Sequence, residues 1–160
     1  MPIKVGDRLP EVKFRVMTSD GPAWKTTDEI FKGKKVALFA VPGAFTGTCH
    51  KMHVPSITQH ADAIKAKGVN TVAVTSVNDV FVMDAWKKAT GADKIDFLAD
   101  GNGDFAKAID LIFDGSGNGL GTRSRRYAML VEDGVVKKLN IEEAPGKVEV
   151  SGGDALLKQL

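Results

Sequence analysis

Three observations predict an α/β fold with a mixed β-sheet flanked by helices. Residues 35–41 form a short β-rich apolar run that reads as a buried central strand, and a helical pattern over about residues 48–67 follows it, ending at Gly68. The same alternation recurs downstream, which implies a largely parallel sheet with right-handed crossovers. Near the end, residues 127–132 and 135–139 flank Asp133-Gly134, a strong two-residue hairpin signal, so antiparallel strands should finish the sheet.

The remaining elements follow in order. Residues 12–16 alternate like an added strand, and Thr26-x-x-Glu29 is a capping box for a short helix before Gly33. After the central strand and its helix, residues 71–74 form the next strand. Ser76-x-x-Asp79 then resembles a second capping box, opening a helix to about Thr90-Gly91. Residues 97–99 are short and apolar, residues 100–103 turn, and a further helix runs through Ile109. Residues 154–160 read as a closing helix. The glycine-rich stretch from Gly115 to Gly121 satisfies Gly-x-Gly-x-x-Gly in no window, and it does not sit between a strand and a helix, so it reads as a flexible loop and not a phosphate cradle.

Composition narrows the function classes. The 160 residues make one domain, 1–160, large enough to bury roughly two-thirds of the unfolded surface. A net charge of +2 and a pI near 8.6, with acidic and basic residues interspersed, imply no nucleic-acid partner. No apolar run approaches the ~20 residues of a membrane helix, and the start meets charge at Lys4 without a secretory h-region. A single cysteine forms no intrachain disulfide, which fits a reducing compartment, with the cytoplasm as the default.

That cysteine, Cys49, is the most informative residue. Pro42-Gly43 breaks the preceding strand, and Thr46 and Thr48 offer hydroxyls where a helix starts, so the sulfur falls in or beside the first turn. Unpaired amides and the helix dipole favour an anion there, which would bring a thiol pKa from ~8.5 toward about 3.5–7.5. The plainer reading is a buried structural cysteine.

The spacing Pro42-x-x-x-Thr46-x-x-Cys49 resembles the peroxidatic motif of peroxiredoxins. The fuller string Pro42-Gly43-Ala44-Phe45-Thr46 before the cysteine, with His53-Val54-Pro55 after it, is similar to the atypical peroxiredoxin-five subgroup. Ser76-Val77-Asn78-Asp79, Leu98-Ala99-Asp100 and Arg125-Arg126-Tyr127-Ala128-Met129 extend the resemblance over nearly the whole chain. It implies a thioredoxin-like fold, in agreement with a βαβ half followed by a ββα half. It also implies a mechanism in which the Cys49 thiolate attacks one peroxide oxygen while the Thr46 hydroxyl and the backbone amides around Thr48 and Cys49 hold the substrate. Pro42 would shield the sulfur from bulk water.

A leaving oxygen that gains charge needs a fixed cation. Arg123, Arg125 and Arg126 lie near the start of a strand, and alternation sends Arg126 to the face opposite the other two. The resemblance selects Arg126, which precedes the aromatic Tyr127. Arg123 and Arg125 read as a solvated surface cluster. His53, at i+4 from Cys49, shares a helical face with it, so a Cys-His dyad is one reading, and a supporting place in the pocket is the one the resemblance implies. Cys49, His53 and His60 also align, but seven residues at ~1.5 Å rise separate the histidines by roughly 10 Å, too far for one zinc ion.

Two departures from the family pattern matter. Gly47 stands where many relatives have proline, which predicts a looser loop. The absence of a second cysteine means that an external thiol must resolve the oxidised sulfur: glutathione, glutaredoxin or thioredoxin. The expected activity is therefore a thiol-dependent peroxidase reducing hydrogen peroxide and small organic hydroperoxides without cofactor or metal, as a homodimer. The alternatives are a non-catalytic thiol redox sensor or holdase on the same fold and, more remotely, a Cys-His hydrolase.

Overall fold

The computed structural model describes residues 1–160. Its strands are β1 (Lys13–Thr18), β2 (Gly21–Thr26), β3 (Lys35–Ala40), β4 (Thr71–Ser76), β5 (Asp96–Ala99), β6 (Ile112–Asp114), β7 (Thr122–Ser124), β8 (Tyr127–Glu132) and β9 (Val135–Ile141). The α-helices are α1 (Thr27–Phe31), α2 (Val54–Ala66), α3 (Val80–Thr90), α4 (Asp104–Ala108) and α5 (Gly153–Leu157).

Seven strands make one mixed sheet in the order β2-β1-β5-β4-β3-β8-β9. β3, β4 and β5 are parallel, while β8 joins β3, β9 joins β8, and β1 joins both β2 and β5 in antiparallel pairs. The central β3 is apolar from Val36 to Ala40 because both of its faces are covered. Ala37 and Phe39 point into the core beneath α2 and α3, whereas Val36, Leu38 and Ala40 point into the core that holds Phe31 and Phe105. Each large side chain so buried contributes about 1.5–3 kcal/mol. The same parity runs along β8, with Ala128 and Leu130 on the first side and Tyr127, Met129 and Val131 on the second. Cys49 lies in the first core, so an even-numbered residue just before β8 falls on its side of the sheet.

The Asp133-Gly134 hairpin forms as expected. Both residues have positive φ, 50° and 78°, the conformation that a two-residue turn needs to match the strand twist. The Thr26 capping box is also present, with Thr26 accepting from the Glu29 amide and Glu29 reaching back to the Thr26 amide. The second box is not. Ser76 still pairs with Ala99 in the sheet, so the chain remains extended there, and Asp79 is the N-cap, accepting from the Val82 amide at 2.8 Å.

Other differences follow from contacts that the sequence leaves implicit. β2 folds back on β1, and β6 and β7 form a separate two-stranded sheet. Gly115 to Gly121 is the tip of that hairpin, closed by a short 3₁₀ turn at Ser116–Asn118 and by the Gly115 amide donating to Gly121 at 2.7 Å, so it is not an unstructured loop. The closing helix is shorter than expected, five residues in α5. The helix bearing Cys49 begins with a widened π turn, Cys49–His53, in which the Val54 amide donates to the Cys49 carbonyl. Pro55 follows in the first turn of α2, where the wide turn accommodates its missing amide.

Candidate active site

The chain crosses from β3 into residues 41–48, and this loop is held at several points. The Ala44 amide donates to Asn78 Oδ1 at 2.9 Å, which ties the loop to the segment that opens α3. The Thr46 hydroxyl donates to the Gly43 carbonyl at 2.6 Å, and the His50 amide donates to the Thr46 carbonyl at 2.8 Å. Thr46 thus keeps only acceptor lone pairs for a substrate. Phe45 takes a left-handed conformation, φ 62°, unusual for a residue with a side chain. Its ring stacks on His50 at 5.7 Å, and His50 Nδ1 in turn accepts from Trp86 Nε1 at 3.0 Å.

Cys49 is 1 % exposed, and its sulfur accepts from Arg126 Nη2 at 3.1 Å, across 77 residues of sequence. Arg126 is itself only 2 % exposed. Its Nε donates to the Pro145 carbonyl at 2.9 Å and its Nη1 to His53 Nδ1 at 2.9 Å. A guanidinium only donates, so His53 Nδ1 accepts, and the ring proton sits on Nε2, which donates to the Ser151 carbonyl at 2.7 Å. Burial, and then the charge of Arg126, push the His53 pKa down to about 3, against smaller opposing effects of Ser151 and Glu142. His53 is therefore a neutral acceptor that aims Arg126.

Behind this ring stands Glu142. Its Oε2 accepts from the amides of Glu149, Val150 and Ser151, each at 2.8 Å, and from the Ser151 hydroxyl at 2.6 Å. Burial opposes ionisation of this carboxyl, but the Ser151 hydroxyl and the three amides outweigh it and hold the group below the usual carboxylate range. The Glu142 amide also donates to the Arg126 carbonyl at 3.0 Å, continuing the β8–β9 ladder past Ile141.

The structure thus brings Cys49, Arg126 and His53 into direct hydrogen-bonded succession, with Arg126 between the other two. Cys49 and His53 do not bond each other, so the Cys-His dyad is replaced by a Cys-Arg-His chain. Thr46 lies on the loop one turn earlier. Thr48 turns its hydroxyl away, to the Gly146 carbonyl at 3.2 Å, so no side-chain cap comes from it. The Pro42 carbonyl accepts from Arg123 Nη1 at 3.4 Å. Hence Arg123 is not a solvated surface group: its guanidinium packs where a Cβ on Gly43 would stand, 2.8 Å away, with the Thr46 methyl group at 2.9 Å on the same spot. Arg125 is also tethered, donating to the Glu142 carbonyl at 3.3 Å. His60 donates to the Ser56 carbonyl of its own helix and takes no part. A Cβ on Gly47 would meet nothing within 4 Å.

The Redoxin family model matches residues 4–157. This chain belongs to the Redoxin family, as a peroxiredoxin. It is similar to the mitochondrial peroxiredoxin-2F of Arabidopsis thaliana, 47% identical over 133 residues, which cover 82% of this chain and 66% of the relative. The chain thus spans just under two thirds of that relative's length. Against peroxiredoxin-2C of Oryza sativa subsp. japonica, the identity is 44% and the match covers 99% of both chains. Among solved structures, reduced Prx3 of Vibrio vulnificus in complex with hydrogen peroxide superposes with a TM-score of 0.94 at 47% identity, covering 98% of each chain. The thioredoxin-like fold expected of a peroxiredoxin is the one observed.

Sequence reasoning missed Glu142, Ser151, Trp86 and the loop-holding role of Arg123. Asn78 was visible only as part of a family-like string. Glu142 carries one retrospective signal: in the ladder it stands opposite Arg126.

Proposed function

We propose that this peroxiredoxin is a thiol-dependent peroxidase acting on hydrogen peroxide and small organic hydroperoxides through Cys49. One observation carries the reading. Arg126 is a buried, permanently charged guanidinium, and its donors go to a carbonyl, a neutral imidazole and the Cys49 sulfur. Buried charges require a counter-charge, and among these three only the sulfur can supply a full one. The geometry thus sets a guanidinium against the sulfur, where it would pair with a thiolate.

In the proposed cycle, the Cys49 thiolate attacks one peroxide oxygen and the O–O bond breaks. Sulfur is oxidised to sulfenic acid, and the other oxygen leaves as hydroxide or alkoxide and takes a proton from water. Arg126 stabilises the charge shifting from sulfur to the leaving oxygen, a role suited to its planar fork. Thr46 accepts from the peroxide hydroxyl, since its own proton is committed to Gly43. The amides of Thr48 and Cys49 in the first helical turn donate to the substrate, and Pro42, with its carbonyl held by Arg123, walls the site. An external thiol then condenses with the sulfenic acid, releasing water and leaving a mixed disulfide, and a second thiol releases Cys49. Glutathione, glutaredoxin or thioredoxin would serve as the donor, in a reducing compartment such as the cytoplasm.

A homodimer fits the surface. Phe45, Phe81 and Trp24 are 50%, 65% and 53% exposed. Trp24 and Phe81 line one cavity beside Asp79, and Phe45, stacked on His50, adds exposed aromatic surface on the loop before Cys49.

The test is multiple turnover of hydrogen peroxide with a panel of thiol donors, alongside Cys49→Ser and peptide mass analysis. Turnover should vanish in the variant, and peroxide without donor should convert wild-type Cys49 to sulfinic and then sulfonic acid. An unmodified Cys49 after millimolar peroxide would make the sulfur structural and end the reading.

A further inference from the structure

Beyond the Cys49 pocket, one buried ionised group has no direct contact with the reacting atoms yet is bonded more heavily than any other side chain in the protein. The Glu142 carboxylate receives four donors on a single oxygen. Three of them are successive amides, at 149, 150 and 151, so the carboxylate winds the segment between β9 and α5 around itself. Glu142 is 4 % exposed and Ser151 is fully buried. The structural cost of holding a buried carboxylate is met by those bonds, but a loop could be closed more simply by apolar packing.

What the arrangement achieves beyond closure is the placement of one carbonyl. Ser151 donates both its amide and its hydroxyl to Glu142, which leaves its carbonyl pointing at His53 Nε2 at 2.7 Å. That contact fixes the imidazole with the proton on Nε2 and the lone pair of Nδ1 facing Arg126 Nη1 at 2.9 Å. Arg126 can then present Nη2 to the sulfur at 3.1 Å. Each link has a defined donor and acceptor, so the direction of the chain is determined along its whole length. If the Ser151 carbonyl moves, the ring loses its acceptor and can flip, which would set an N–H against a guanidinium that itself only donates.

We propose that Glu142 is a positioning residue for peroxide reduction, acting through the Ser151 carbonyl and His53 to aim Arg126 at the Cys49 sulfur. The assignment rests on the peroxidase reading above and extends it to a residue four hydrogen-bond links from the reacting sulfur. Charge is essential to it, because four donors converging on one oxygen require an acceptor with the full density of a carboxylate. A neutral amide of the same shape accepts fewer and weaker bonds.

The experiment is a double-mutant cycle with Glu142→Gln and His53→Gln, read by the stopped-flow rate of Cys49 oxidation with hydrogen peroxide. Wild-type oxidation tests the peroxidase reading itself, so its absence would condemn that reading and is distinguishable from a failure here. Glu142→Gln should slow oxidation roughly tenfold, the scale of a sub-ångström misplacement of a catalytic group. In the His53→Gln background the same change should cost less than about twofold, because the link it acts through is already cut. Imidazole ¹⁵N shifts should also change, from a single Nε2–H tautomer in the wild type to a mixture in Glu142→Gln. A purely structural role would lower stability without either signature. Wild-type rate in Glu142→Gln, or equal cost in both backgrounds, overturns the proposal. Should Glu142→Gln fail to fold, Ser151→Ala removes one of the four donors while keeping the carbonyl. It should slow oxidation about two- to threefold in the wild type and not in His53→Gln, with equal cost again overturning the proposal.

Discussion

Lowering the pH from 7 to 5 should destabilise this protein by about 2 kcal/mol through His53 alone. The imidazole titrates near 6.5 in an unfolded chain and about 3 in the folded one. Between those values the unfolded state binds one more proton than the folded state, so stability rises with pH, by about 1.4 kcal/mol per unit at the steepest. Going down, the loss begins near pH 6.5 and stops accumulating near pH 3. Integrating between pH 7 and 5 gives about 1.9 kcal/mol. Glu142, with its depressed pKa, contributes in the same direction only at lower pH, below the ordinary carboxylate value. Asp100, whose pKa burial raises, works in the opposite direction. Both cancel when the wild type is compared with His53→Gln, which cannot titrate at that position. Urea unfolding at pH 7 and pH 5 should show the wild-type midpoint falling by about 1 M more than that of the variant. Equal shifts in the two proteins, or an imidazolium spectrum for His53 at pH 5 in the folded state, would refute the reasoning that its nitrogen is occupied by Arg126.

Two further outcomes are expected. In stopped-flow peroxide kinetics, Arg126→Ala should lose about 3–4 kcal/mol of transition-state stabilisation, a hundredfold or more in rate. Arg123→Ala, which frees the Pro42 carbonyl, should fall between that and a near-neutral Arg125→Ala, and equal effects from all three would contradict the observed geometry. Gly134→Ala places a side chain at φ 78°, with Arg8 Nη1 only 3.1 Å from the new methyl group. It should cost about 1 kcal/mol or more in urea unfolding without altering the peroxide rate.

The legible parts of this fold were those written in local sequence. The β3 run, the Asp133-Gly134 turn and the Thr26 box each rest on residues within a few positions of one another, and each formed as expected. β6 and β7 were invisible because each has only three residues, with nothing in their pattern beyond the glycines between them. Ser76 was misjudged because its pairing with Ala99 keeps it in the sheet, and that partner lies 23 residues away. The same limit applied at the site. Strand parity separates Arg126 from Arg123 and Arg125 but does not say which face meets Cys49; the family resemblance made that choice, and Ala128 and Leu130 on β8 lie on the same side of the sheet as Cys49. Arg123 depends on the approach of the Pro42–Gly43 step, and Glu142 on the winding of residues 149–151, and neither is encoded by spacing.

Arg126 makes no direct ion pair with a carboxylate, and this has a consequence for the second half of the proposed cycle. While the sulfur is anionic, the guanidinium is neutralised and the closed pocket is electrostatically balanced. Once the sulfur is joined to a donor thiol in a disulfide, it carries no charge, and the cation is stranded in an interior 2 % open to water. The first half of the reaction thereby loads the folded pocket with a desolvation penalty that hydration would relieve. In the proposed cycle that penalty falls at the stage when a second thiol has to enter, and reduction restores the anion that balances the guanidinium.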